Sequence, residues 1–432
     1  MNHQHSIVIG GGATGGLLAL RSAQAGHRVT LIDPNPTLGG LTATERFTVN
    51  GQSFDVDRFY HVILESDERV LALLDELGLT DTVGWTSAPA EIIARSVRYP
   101  ATSLVDMVRL PMLKATDRAR IGASIAASLA LPMPLANRMT SVEWLRRTAG
   151  GSALESFWWP ILRAKLGTQA DRVSAAFLVG TFRRLVRAKL KGSGDRFGVL
   201  PNGYGPVFDA LATRIGELGG EIRTTMSVER VVREADGLTV QLNDGSSLQA
   251  DRVFVTTPGP VTARLLPQLT AAERAQLTAA PYLGVVCGSF LLEQPPNDSY
   301  ITYLVDDVQL TGVIGMHALL PPEHTGGASL VYLPHYCSPD DEWFALTDDQ
   351  VRDRMLAGLR QAFPDFEPTV LASSINRARH VVPLPVPGAE SPLPFQTSIQ
   401  GVTVVCTAQS TSGTLNVESS LDLAERGLET TT

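Results

Sequence analysis

The chain opens on an unbroken apolar run, Ile7-Val8-Ile9, the pattern of a strand buried on both faces of a parallel sheet. Leu17, Leu18 and Leu20 then fall at helical spacing, and Gly26 closes that helix. A second strand runs from Arg28 to Ile32 and ends on Asp33. Phe47 to Phe54 predicts a short hairpin turning at Asn50-Gly51, and 67–78 an amphipathic helix stopped by Gly78. From about 103 to 191 the pattern is mainly helical. Alternation of strand and helix then returns, with a turn at Asn202-Gly203 and Gly205, a helix over 206–218 and a short strand over 221–223. Val228 to Glu234 leads into turns at Asp236-Gly237 and Asn243-Asp244-Gly245, and Asp251 to Thr257 is a buried strand ended by Pro258-Gly259. Residues 283–335 alternate in several pieces, as an antiparallel sheet would. A helix over 348–362, a strand from Val402 to Thr407 and a last helix from Val417 to Arg426, stopped by Gly427, complete the pattern.

Between the first strand and its helix, Gly10, Gly12 and Gly15 keep G-x-G-x-x-G spacing. Gly10 permits a tight turn, Gly12 lets the backbone approach a pyrophosphate, and Gly15 lets the helix sit close to the strand. The helix N-terminus, through Ala13 and Thr14, offers unpaired N–H groups and partial positive charge to phosphates. Asp33 ends the second strand, where a carboxylate accepts ribose hydroxyls and repels a 2′-phosphate, which argues against NADP. Strand, glycines, helix, second strand and acid in this order predict a dinucleotide site. The glycine pair in Leu38-Gly39-Gly40-Leu41-Thr42 predicts a loop that passes close to the same ligand.

Composition narrows the class. At 432 residues, with 44% apolar and 19% charged positions, the chain is long enough for two or three domains. A net charge of −8 gives a general nucleic-acid role no electrostatic support. Cys287, Cys337 and Cys406 are odd in number and far apart, which fits reduced thiols in a cytoplasmic protein. The start, MNHQHS, leaves no room for a signal peptide before the first strand. Residues 121–137 are uncharged but broken by Pro132 and Pro134. A packed helix is the expectation there, with peripheral contact to a membrane as the alternative.

This interrupted layout resembles the flavin-dependent amine oxidase superfamily, which includes protoporphyrinogen oxidase-like and phytoene desaturase-like oxidoreductases and, more distantly, UDP-galactopyranose mutase. The resemblance is carried by the opening fingerprint, Leu38-Gly39-Gly40, LPNGYGPVFDAL, SVERV, DRVFVTTPG and the closing TAQSTSGTLNVESSLDLAERG. It implies an α/β fold. A Rossmann-like FAD-binding domain would be made of discontinuous segments (1–60, 195–275 and 385–432), with a mixed-sheet substrate domain (61–102 and 276–384) and a helical insertion (103–194). It implies FAD with its pyrophosphate on Gly10–Gly15 and its ribose on Asp33. Val228 would present backbone to adenine, and Gly39, Gly40, Leu41 and Thr42 would lie by the phosphates and ribityl chain. Thr257, Gln409, Gly413, Leu415, Asn416 and Val417 would complete the clamp. Many relatives place Arg after the glycine pair, where this chain has Leu41; Arg46 or Arg58 is the substitute. The usual acid of the closing motif is replaced around Ala408-Gln409, and VVCGSFLLEQ lacks the lysine that amine oxidases often carry.

For chemistry, His61 is the candidate proton acceptor, flanked by Tyr60 and Arg58 after a strand-like run. Lys165 serves as a base or an anchor for an anionic substrate. Weaker candidates are Trp158 and Trp159 for an apolar slot, Arg163 for a phosphate or carboxylate, His335-Tyr336 for a pocket wall, and Arg377, Arg379 and His380 near the flavin or on a surface loop; no metal cluster stands out. The expected function is an FAD-dependent oxidoreductase that removes a hydride and a proton from a C–N or C–C bond of a moderately apolar small molecule. Oxygen or another acceptor would take the electrons. A redox-neutral mutase or isomerase, and a flavoprotein with structural FAD, are the alternatives; the oligomeric state is left open.

Overall fold

The apolar run at the N-terminus becomes the centre of a parallel sheet. The computed structural model describes residues 4–94, 96–103, 106, 110, 113–190, 196–306, 308, 310–388, 393–410 and 416–430. The chain starts with β1 (His5–Ile9), α1 (Ala13–Gln24) and β2 (Arg28–Ile32). The hairpin β3 (Thr44–Val49) and β4 (Gln52–Asp57) follows, then α2 (Glu68–Glu76), β5 (Ala90–Ala94) and β6 (Val97–Pro100). The hairpin turns where expected, with Asn50 at φ 50 and Gly51 at φ 79, both left-handed as a two-residue primed turn requires.

Helices α3 (Ala115–Ala130), α4 (Met133–Ala136), α5 (Ser141–Thr148), α6 (Trp159–Leu166) and α7 (Ala175–Leu190) fill the next stretch. They bury Trp144, Leu154, Phe157, Trp158 and Phe182 in a core of their own. The uncharged stretch from 121 is a packed helix with Ile121, Ser124 and Ser128 buried. Among the described residues, no helix is long and apolar enough to cross a membrane.

Then come α8 (Gly205–Glu217), β7 (Glu221–Arg223), β8 (Val228–Glu234), β9 (Gly237–Leu242), β10 (Ser247–Ala250) and β11 (Arg252–Val255). Helices α9 (Gly259–Leu265) and α10 (Ala271–Ala279) lead to β12 (Tyr282–Leu292), β13 (Ile301–Leu304), β14 (Gly312–Gly315) and β15 (Ser329–Cys337). The chain ends with α11 (Asp348–Ala362), β16 (Val370–Pro383), β17 (Val402–Val404) and α12 (Val417–Glu429).

Two sheets organise these elements. The order β17-β11-β1-β2-β7 forms a sheet parallel throughout, so segments from both ends and the middle of the chain build one nucleotide-type layer. The order β16-β12-β15-β14-β13-β5-β6 forms a second, mixed sheet in which β13 and β5 run parallel. Strands β5, β6 and β16 were not expected from the sequence. β16 lies at one edge, and its Ser373, Asn376, Arg377 and Arg379 dilute the apolar alternation on which a strand reading depends.

Two boundaries also differ. The strand expected over 402–407 stops at Val404, because the Gln409 side chain accepts from Cys406 N–H (2.8 Å) and folds Thr407–Gln409 into a 3₁₀ turn. Gly427 does not stop the last helix, which continues to Glu429. Its missing side chain serves packing instead: a Cβ there would stand 2.6 Å from Val405 Cγ2.

Candidate active site

The first part of the site is a cradle. Gly10, at φ +105, donates its N–H to Ile32 O (2.9 Å) and turns the chain off β1 against the end of β2. A Cβ on Gly15 would lie 1.8 Å from Gly10 O, so α1 can start under the turn only with glycine there. Gly12 is the N-cap of α1 and supplies no side-chain cap, which leaves the N–H groups of Ala13 and Thr14 for an outside acceptor. The second glycine turn rests on the first. Gly39 N–H donates to Gly11 O (2.8 Å), and a Cβ on Gly40 would come within 3.2 Å of Gly12 Cα. Thr42 closes that turn by donating to Gly39 O (2.7 Å), with Leu41 half-buried beside it.

Asp33 is 5% exposed and braces the turn as well as ending β2. Its Oδ2 accepts from Gly11 N–H (2.7 Å), and its Oδ1 from Asn35 N–H (2.8 Å) and Nδ2 (2.9 Å). Each carboxylate oxygen retains lone-pair capacity for a further donor. Met226 N–H donates to Asp33 O (3.0 Å), which brings the start of β8, with Val228, alongside. The parallel register Ile9↔Val255 puts Thr256 beside Gly10, where its hydroxyl meets Ile9 O (2.9 Å) and Gly10 O (3.2 Å). The Thr257 hydroxyl pairs with Thr262 Oγ1 (2.9 Å). Only the strand register, invisible in the sequence, selects the earlier threonine.

The far end of the chain closes on this cradle. Thr14 Oγ1 donates to Ser420 O (3.2 Å), joining α1 to α12. Asn416 caps α12 by accepting from Ser419 N–H (2.8 Å), and Val417 begins the helix. Glu418 accepts from the N–H groups of Arg69 (2.9 Å) and Val70 (3.1 Å), capping α2 from outside. Arg69 in turn pairs with Glu418, Asp422 and Glu425 of α12. Gln409, expected at the cofactor, has both amide donors on Leu393 O (3.0 Å) and Val404 O (2.9 Å), so its side chain braces the backbone. Gly413 and Leu415 lie outside the described residues.

The second part is the loop after β4. Asp57 ties three segments together. Its Oδ1 accepts from Tyr204 N–H (2.8 Å), its carbonyl accepts from the Tyr332 hydroxyl, and its Oδ2 lies 3.6 Å from His61 Nδ1. Gly203 is required beside it, since a Cβ there would fall 2.4 Å from Asp57 Oδ1. The His61 ring stands edge-on to Tyr204 with centroids 5.8 Å apart. Asp57, His61, Tyr204 and Tyr332 help line a cavity of about 20 Å³, room for one water. Arg58 joins this loop to the glycine turn, donating its N–H to Ala43 O (2.9 Å). Its guanidinium has no acid partner among the described residues, whereas Arg46 is held bidentately by Asp55 (2.9 and 2.8 Å).

The third part is an aromatic cluster. The Tyr60 hydroxyl meets the Tyr336 hydroxyl at 3.2 Å. Tyr60, Tyr303, Tyr336 and Lys165 all keep accessible surface, yet protein surrounds them closely enough for burial to raise the three phenols' pKa values and lower the lysine's. The phenols therefore stay neutral. Lys165 Nζ lies 5.7 Å from the Phe177 ring centroid, and Arg184 adds to the lowering. The turn after Lys165 rests on β15: a Cβ on Gly167 would be 3.7 Å from Tyr336 O. No carboxylate pairs with Lys165 among the described residues.

Other candidates lie elsewhere. Trp158 is core, packed on Phe157 and Phe182, while Trp159 is half-buried and Arg163 exposed. Arg377 pairs with Asp348 (2.5 Å), Arg379 lies over Phe344, and His380 stands edge-on to Tyr282. His335 stacks on Trp343 at 4.1 Å, on the opposite face of β15 from Tyr336. There the fold gathers His335, Cys337 and Asp341, with ligand-type atoms within 4.8 Å of one another, a grouping their sequence spacing did not announce.

Comparison with known proteins agrees with this geometry. The fold recurs in reduced UDP-galactopyranose mutase, with a TM-score of 0.76, 15% identity, and coverage of 100% of this chain and 94% of that one. It recurs in cyclohexylamine oxidase from Brevibacterium oxydans IH-35A, with a TM-score of 0.71, 19% identity and 99% coverage of each. In sequence the chain is similar to coproporphyrinogen III oxidase of Propionibacterium freudenreichii subsp. freudenreichii, 26% identical over 336 residues. That stretch spans 63% of this chain and 61% of the relative. The family model described as flavin containing amine oxidoreductase matches residues 17–386, and the chain belongs to that family.

Proposed function

We propose that this chain is an FAD-dependent oxidoreductase that removes a hydride and a proton from a C–N or C–C bond of a moderately apolar small molecule. The electrons then pass to oxygen or another acceptor. The family's dinucleotide is FAD, and the cradle fits it: the two glycine turns, the open start of α1, Asp33 and the start of α12 would hold it. When bound, FAD supplies the hydride acceptor. The observation that carries the reading is the tyrosine cluster of Tyr60 and Tyr336, joined to the cradle by the loop that bears Arg58, Tyr60 and His61.

On that loop, His61 takes the proton. Its Nδ1 lies 3.6 Å from Asp57 Oδ2, which orients the ring. The neutral Tyr60 hydroxyl positions the substrate, and Lys165 holds an acidic group on it. The three cysteines are free and buried, which supports a reducing, cytoplasmic setting.

Substitution of His61 by alanine tests the assignment. Purified His61→Ala should retain its flavin bands, while anaerobic bleaching by a turned-over substrate should slow about a hundredfold or more. Loss of FAD from the variant would assign His61 to cofactor binding, and unchanged bleaching would remove it from the chemistry.

A further inference from the structure

Residues 129–135, Leu-Ala-Leu-Pro-Met-Pro-Leu, join α3 to α4 without a single charge. Folding does not hide them. Leu129 and Leu135 keep 47% and 45% of their surface, and Ala130, Pro132 and Pro134 are exposed as well. Four large apolar side chains are strongly exposed among the described residues, and two of them stand on this one tip. Such clustering marks a binding surface, whereas single exposed leucines do not.

The tip's backbone is largely satisfied from inside. Arg183 of α7 donates to the carbonyls of Ser128 (3.2 Å), Leu129 (3.2 Å) and Leu131 (2.6 Å). Leu131 N–H bonds Ala127 O, and Leu135 N–H bonds Pro132 O. The tip therefore offers apolar side chains with few open polar groups, the condition for entering a medium without water.

Charge identifies the medium. The stretch 103–194 holds fifteen Lys and Arg against five Asp and Glu, although the whole chain is at −8. The acidic excess thus lies in the rest of the chain, and the apolar tip belongs to its basic segment. Arg183 lies directly behind the tip, and exposed Arg138 follows three residues after Leu135. A net-acidic protein is repelled by an anionic surface unless a basic segment leads, and each Lys or Arg near such a surface adds to the attraction.

We propose that the 129–135 tip inserts into the interfacial region of an anionic lipid bilayer, with Arg138 and Arg183 at headgroup depth. A second copy of this chain is a poorer occupant, because a two-fold contact through the tip would set two basic segments face to face. The surface stands apart from the redox reading, and its test needs no substrate.

The test is flotation of the full FAD-loaded chain with phosphatidylcholine vesicles, with and without phosphatidylglycerol. The protein should float with the anionic vesicles, less so as salt rises. The double variant Leu129→Ser/Leu135→Ser should lose on the order of tenfold in partitioning while keeping its FAD and its Tm. Absence of flotation by the wild type, equal flotation of the variant, or a variant whose sole change is a smaller oligomer would overturn the proposal. Leu129→Trp gives a second readout in a minimally changed chain. Its emission should shift to the blue with anionic vesicles only, and an unshifted spectrum would count against insertion.

Discussion

Lys165 holds its ammonium 5.7 Å from the Phe177 ring centroid, where burial, reinforced by Arg184, lowers its pKa from the ordinary 10.5. Only the protonated form can hold an anion. Affinity for a carboxylate ligand should therefore be full at neutral pH and decline as pH rises through the lowered pKa, earlier than an exposed lysine would allow. Lys165→Met should weaken that ligand about tenfold or more, as loss of a charged hydrogen bond does, and should abolish the pH dependence. Ligand-induced shifts of the flavin spectrum between neutral pH and pH 10 check both; a flat profile in the wild type would exclude the anchoring role. At this scale the sequence was informative where chemistry is tied to spacing. Gly10, Gly12, Gly15 and Asp33 are such positions, because a turn and the acid that braces it are local objects. The approach of the Gly167 turn to Tyr336, or of Thr256 to Gly10, joins residues far apart in the chain and has no local signature.

Elements show the same division. The helix over 348–362 was readable because Thr347 and Gln350 form a capping box, a signal contained within four residues. Gly427 was misread because glycine has two uses, ending helices and allowing close packing, and only the neighbour decides between them. Here the neighbour is Val405, so Gly427→Ala forces a methyl against a buried strand end and should destabilise the fold by about 1–3 kcal/mol. Gly216, inside α8 with nothing within 4 Å of a Cβ, is the matched control. Gly216→Ala should be neutral or stabilise by about 0.4–1 kcal/mol. Urea unfolding of the two variants separates the cases, and similar midpoints would refute the packing argument.

Over the whole molecule, the cradle depends on both ends of the chain. β17 extends the sheet of β1 through β11, and α12 packs on α1 and α2. A ligand that binds only the closed arrangement must stabilise it: FAD at a hundred times its Kd should add about 2.7 kcal/mol. Proteolysis at the N- and C-terminal segments should slow together on FAD addition, and protection of one end alone would contradict a shared cradle.

From the sequence alone came the dinucleotide turn, the interrupted order of strands and helices, and the basic, apolar character of the helical stretch, since each is written in neighbouring residues. The tertiary structure alone decided which threonine supports the turn, which ring stands by Lys165, where β16 belongs, and that residues 129–135 stay in the open. Those outcomes depend on register and burial, which arise only when segments distant in the chain exclude water from one another.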